Sequence, residues 1–157
     1  MPDYKVLGFY QKAREVTKGV DAAIKTWPRT MQAQELSRQL FRAAASVGAN
    51  IAEGHGRHTG PEYIHFLLIA QGSANEVDHW LNIALDCKLG VPDTLKGLLR
   101  LNDETRKMLH TTLDSLQKGQ IQKSARENAA LYNVHDEYTE LDDLDVEIGE
   151  REQNGDN

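Results

Sequence analysis

One cysteine, Cys87, stands in 157 residues. It can form no internal disulfide, which fits a reducing compartment and excludes the disulfide-stapled secreted scaffolds. No apolar run approaches the roughly 20 residues that cross a bilayer. The N-terminal MPDYKVLGFYQKAREV sets charges where a secretory signal would carry its apolar core. The expectation is an unprocessed cytoplasmic protein with no membrane partner. Aromatic residues make up only 6% of the chain, too sparse in sequence for an obvious stacking platform. Also missing are His-Glu-x-x-His, a phosphate-loop glycine motif and a nucleophile elbow. Ser46 and Ser73 have no histidine in register for a hydrolytic triad. His55, His58 and His65 cluster near Glu53 and Glu62, but they straddle a glycine turn and match no zinc spacing. No catalytic residue, metal or cofactor is therefore expected.

What is present is helical periodicity. The 39% hydrophobic content can fill one core in a chain of this size. Val6, Phe9, Ala13, Val16, Val20, Ile24 and Trp27 recur at steps of three and four, so Tyr4 to Trp27 reads as an amphipathic helix that Pro28 ends. A second runs from about Thr30 to Glu53, with Leu36, Leu40, Ala43, Val47 and Ile51 inward; Ser37 is an alternative cap, and Gly54 and Gly56 form the stop. Thr59-Gly60-Pro61-Glu62 has the make-up of a capping box. It opens a third helix with Ile64, Leu67, Gln71, Ala74, Val77, Leu81 and Leu85 inward, closed by Gly90. Pro92 opens a fourth, with Leu95, Leu98, Asn102, Leu109, Leu113 and Leu116 inward, to about Lys118 and Gly119. Asn102 interrupts its stripe as a register-fixing polar residue does. Four long helices with short connections and no strand pattern predict an all-α, antiparallel up-down-up-down four-helix bundle over residues 1–120.

Charge divides the chain at the same place. Residues 1–120 hold 15 Lys/Arg and 13 Asp/Glu, a net +2, whereas residues 121–157 hold 3 and 11, a net −8. The acidic tail is expected to be disordered alone. Within it Leu141, Leu144, Val146 and Ile148 alternate with acids, as in linear motifs that fold on a partner.

The second helix ends oddly, on SVGANIAEGHGR, residues 46–57. Ser46, Gly48, Ala49 and Asn50 give it a narrow surface, and AQGSANE, residues 70–76, gives the third helix another, so the two axes should approach closely. Asn50, Ser46, Ser73 and Glu76 are then expected to hydrogen-bond one another or the backbone across the pair, because an unpartnered buried polar group costs about 1–3 kcal/mol. Arg42 and Glu53, about three turns apart, can each take a partner from that set.

QLFRAAASVGANIAEGHGR followed by YIHFLLIAQGSANEV resembles the signature of the four-helix-bundle family that contains the 23S rRNA intervening-sequence proteins and the accessory variability determinant proteins of diversity-generating retroelements. Gln39, Arg42, Ser46, Asn50, Glu53 and Gly54 carry the first half of the likeness, and Gly72, Ser73 and Glu76 the second. The resemblance implies a protomer assembled into a ring-like homopentamer. Apolar residues off the core stripes, such as Leu7, Phe41 and Leu68, are available for such an assembly. For the retroelement branch it also implies a non-catalytic accessory protein that binds a reverse transcriptase and its template RNA. For the other branch it implies a stand-alone interaction module.

Arg14, Lys18 and Lys25 lie at about 180° to 220° from Lys5 on the first helix, against a core stripe near 70°, at about 100° per residue. They form a basic stripe facing away from the core. With Lys5, Lys12, Arg38 and Arg57 they are the candidate contacts to RNA or a protein partner.

Overall fold

A computed structural model describes residues 3–57 and 60–152, with side chains described as far as residue 127. A short 3-10 turn, Tyr4–Val6, leads into four helices: α1 (Gly8–Ile24), α2 (Met31–Gly56), α3 (Gly60–Asp86) and α4 (Pro92–Glu152). No strand occurs among the described residues. The chain divides into two compact units, Met1–Gln117 and Lys118–Asn157.

Helix ends follow local chemistry. Thr30 caps α2, its hydroxyl accepting the Ala33 N–H at 3.2 Å. Ser37 does not cap; its hydroxyl donates to the Ala33 carbonyl at 2.7 Å. Thr59 and His58 lie outside the described residues, and with them the proposed capping box. At the end of α3 the Leu89 N–H reaches the Ala84 carbonyl at 2.9 Å and the Lys88 N–H reaches Leu85 at 3.0 Å. Lys88 takes φ +55° and Gly90 φ +72°. This is a Schellman ending in which a lysine, not a glycine, holds the left-handed position. Several expected boundaries move, and the first helix, read as Tyr4 to Trp27, is α-helical over Gly8–Ile24 and ends before Trp27 and Pro28. Gly54 is a buried residue inside α2 instead of its stop. Helical backbone also continues past Lys118 and Gly119 to Glu152. Gly119 sits in a run rich in Gln, Lys, Arg, Ala and Glu, whose helix propensity outweighs one glycine costing about 1 kcal/mol.

The core lies in the first unit. Val16, Val20, Leu40, Val47, Ile51, Leu67, Val77, Leu81, Leu95 and Leu109 are fully buried. So are Ala44, Ala70 and Ala84, which stand beside the expected stripes and widen them, as globular packing requires. Val6 is 63% exposed, because the 3-10 turn places it off the helical period. The neighbours are antiparallel. Thr17 of α1 meets Ala44 of α2, Ser46 of α2 meets Ser73 of α3, Ala74 of α3 meets Asn102 of α4, and Lys12 of α1 meets Glu104 of α4. Asn102 is fully buried and donates to the Ala74 carbonyl at 2.8 Å, joining α3 to α4.

Close approach is concentrated at single glycines. A Cβ on Gly54 would stand 2.7 Å from the Cβ of Phe66, and one on Gly19 would stand 2.5 Å from a methyl of Leu98. Gly48 and Gly72 do not mark such crossings. A Cβ on Gly48 would make an ordinary 3.6 Å contact with Tyr10, and one on Gly72 would meet nothing within 4 Å.

Candidate nucleic-acid interface

Thr17 sets the join of α1 and α2. Its hydroxyl lies 3.0 Å from the carbonyl of Ala13 on its own helix and 3.0 Å from that of Ala44 on α2. Outside this join α2 presents only Ala45, Gly48 and Ala49, and no side chain fills the furrow. The result is a groove of about 240 Å³ lined by Tyr10, Arg14, Thr17 and Lys18 from α1 and by those three small residues from α2. Arg14 and Lys18 stand one helical turn apart on the rim, both exposed. Neither has a salt-bridge partner among the described residues.

The other five candidate cations each have a carboxylate partner. Lys5 reaches Asp3 at 3.9 Å, Lys12 reaches Glu104 at 2.5 Å and Lys25 reaches Asp21 at 2.5 Å, while Arg38 pairs with Glu35 and Arg57 with Glu53. The Glu104 hydrogen bond, more than its charge, raises the Lys12 pKa. Exposed pairs of this kind are worth little to stability, but each carboxylate offsets the positive charge of the cation it meets. Of the seven candidates, Arg14 and Lys18 are the two that both stay unpaired and share a groove.

Tyr10 links the groove to a ring cluster that the sequence hid. Its ring meets Tyr4 edge-on at 4.9 Å, Tyr4 lies 6.2 Å from His55, and His55 lies 6.4 Å from Tyr63. Lys5 sits over Tyr4 at 5.8 Å and Arg57 over Phe66 at 5.3 Å. These residues come from the 3-10 turn, α1, α2 and α3, so spacing along the chain gave no sign of their meeting. Burial raises the pKa of Tyr63.

The signature residues separate into two groups. The Asn50 amide donates to the Ser46 carbonyl at 2.8 Å and to its hydroxyl at 3.0 Å, the Ser46 and Ser73 hydroxyls are 3.0 Å apart, and Ser73 donates to the Ile69 carbonyl at 3.0 Å. This chain ties α2 to α3. Arg42, Glu53 and Glu76 are exposed and stand outside it. Gln39 donates to Glu35 at 3.0 Å. Gly54 is the crossing point described above, and Gly72 is exposed. No three of the described His, Cys, Asp and Glu residues converge as a metal site. The side chains of Leu141, Leu144, Val146 and Ile148 lie outside the described residues.

A second groove of about 640 Å³ runs between the start of α2 and the end of α3, lined among others by Met31, Leu36, Gln39, Trp80 and Cys87. Its charged residues, Glu35 and Arg38, neutralise each other. It is an apolar surface, not a charged one.

A model of the 23S rRNA-intervening sequence protein family matches residues 5–111, more than half of the chain. The chain belongs to this family. The matched range includes the α1/α2 groove and the Ser46–Asn50–Ser73 set, and it ends before the acidic segment. The fold also resembles the crystal structure of a protein of unknown function from the S23 ribosomal protein family of Bacteroides thetaiotaomicron VPI-5482. The TM-score is 0.60 and the sequence identity 23%, over 67% of this chain and 97% of the other. No curated protein matches the chain. Among the described residues, no helix is long and apolar enough to cross a membrane.

Proposed function

We propose that this family member is a non-catalytic, self-associating interaction module that holds RNA on the Arg14–Lys18 face, and that its finer role is to support a reverse transcriptase and its template RNA. The observation that carries the reading is the pair of unpaired cations one turn apart on a groove with no bulky side chain in it. Two uncompensated charges are what phosphate contact needs. The Thr17 proton is already directed at backbone carbonyls, so few donors remain to read base edges and sequence preference should be weak. Self-association is supported by uncovered apolar surface: Met31 is 86% exposed, Phe41 40% and Leu68 45%. A homopentamer is the stoichiometry proposed.

The stand-alone reading, without a reverse transcriptase, is favoured by the family match itself, since that family is named for the intervening sequences of 23S rRNA. Gene neighbourhood separates the two. A reverse transcriptase beside a template and variable repeat pair supports the accessory role, and a position inside a ribosomal RNA gene supports the other. The RNA contact is tested by replacing Arg14 and Lys18 with Gln. RNA affinity should fall and its salt slope should shrink by roughly 0.7 per lost single-strand phosphate contact. Unchanged affinity and slope would remove this face from the reading.

A further inference from the structure

The α1/α2 groove has a shape that a bare patch of positive charge lacks, and the shape selects among nucleic acids. We infer that it takes single-stranded RNA in preference to duplex, with consecutive phosphates on Lys18 and Arg14 and a base against Tyr10; this rests on the RNA reading above. Lys18, Arg14 and Tyr10 stand at successive steps of four residues along α1, so each is displaced from the next by about 6 Å along the axis. That step suits consecutive units of an extended strand. The floor of Ala45, Gly48 and Ala49 is recessed between two packed helices, whose axes are about 8–10 Å apart. A duplex is too wide to enter and would touch only the rim cations. Tyr10 is half-buried, held in a T-shaped contact with Tyr4 and with its Cε2 facing Gly48. A fixed aromatic at the end of a cationic track is the arrangement by which proteins bind single strands with little sequence preference.

Gly48 supplies a test that leaves charge untouched. Its Cβ position is open to ordinary contact, so Gly48→Leu fills the groove while replacing a poor helix former with a good one. The experiment measures fluorescence anisotropy of labelled oligoadenylate and of a blunt RNA duplex with the same number of phosphates. The proteins are the full chain, Gly48→Leu, Tyr10→Leu and the Arg14→Gln/Lys18→Gln double variant, each checked by thermal melting. The full chain should bind the single strand at least about tenfold more tightly than the duplex, and Gly48→Leu and Tyr10→Leu should each lose about tenfold on the single strand alone. The double variant should weaken both ligands. Equal binding of both forms, or single-strand binding indifferent to Gly48→Leu in a protein that melts no lower than the original, overturns the groove while leaving RNA binding standing. Displacement of the strand by oligoglutamate at equal charge assigns the groove to an acidic peptide and also overturns the inference. Failure to bind either RNA overturns the RNA reading itself.

Discussion

Lys88 holds φ +55° at the end of α3, a conformation that costs an L-residue with a Cβ roughly 1–2 kcal/mol. Its backbone N–H is used by the Schellman ending, but the structure gives its side chain no bond that needs a lysine. Lys88→Gly should therefore raise stability by about 0.5–1 kcal/mol, read as a higher melting temperature. Gly90 is the reverse case. Its φ is +72° and a Cβ would stand 2.4 Å from the Trp27 indole nitrogen, so Gly90→Ala should lower stability by more than about 1 kcal/mol. In the signature, Asn50→Leu removes two hydrogen bonds that hold Ser46 and should cost about 1 kcal/mol. Glu53→Ala removes only an exposed pair with Arg57 and should stay within about 0.5 kcal/mol of the original. Denaturant unfolding of the two variants side by side checks both values.

At the level of helices, two glycines of the signature, Gly54 and Gly72, behave differently. Gly54→Ala pushes a Cβ into Phe66 near that residue's own backbone, and only a shift of α2 against α3 relieves it. The expected loss is about 1–3 kcal/mol despite the better helix propensity. Gly72→Ala meets nothing and should gain about 0.5–1 kcal/mol. Sequence periodicity made all four core stripes legible, because three-and-four spacing survives any detail of packing. It could not say which glycine faces the neighbouring helix, since a residue without a side chain carries no hydropathy signal. The spacing of Arg14 and Lys18 was equally readable, whereas the partner that occupies Lys12 comes from Glu104 across the bundle. The start of α2 also carries a pH effect. The Gln39 hydrogen bond, then Arg38, holds the Glu35 carboxyl below its ordinary value. The carboxylate form therefore stabilises this end of α2 above the ordinary carboxylate range and ceases to do so as pH falls through the lowered folded value. Acid titration followed by NMR should show Glu35 protonating after an ordinary glutamate.

For the whole molecule, charge and exposed apolar surface set behaviour. Truncation after Gln120 changes the net charge from −6 to +2. Affinity for RNA at low salt should rise and its salt dependence steepen, because the remaining chain no longer repels phosphate overall. Unchanged affinity would show that the acidic segment does not offset the basic face. Light scattering should give a multiple of the protomer mass, with five the expected number, and a monomer at micromolar concentration would contradict the proposed assembly. The two tryptophans make covering of the apolar groove and unfolding visible without labels. Trp27 is 7% exposed, and its indole N–H has no hydrogen-bond partner, whereas Trp80 lies half-buried along the apolar groove of α2 and α3. An indole in a dry, unbonded setting fluoresces toward the blue and one touching water toward the red. Covering the apolar groove should move the long-wavelength part of the emission while the short-wavelength part stays in place, and unfolding should move the short-wavelength part. A covered groove and a melted core thus have separate colours in one spectrum.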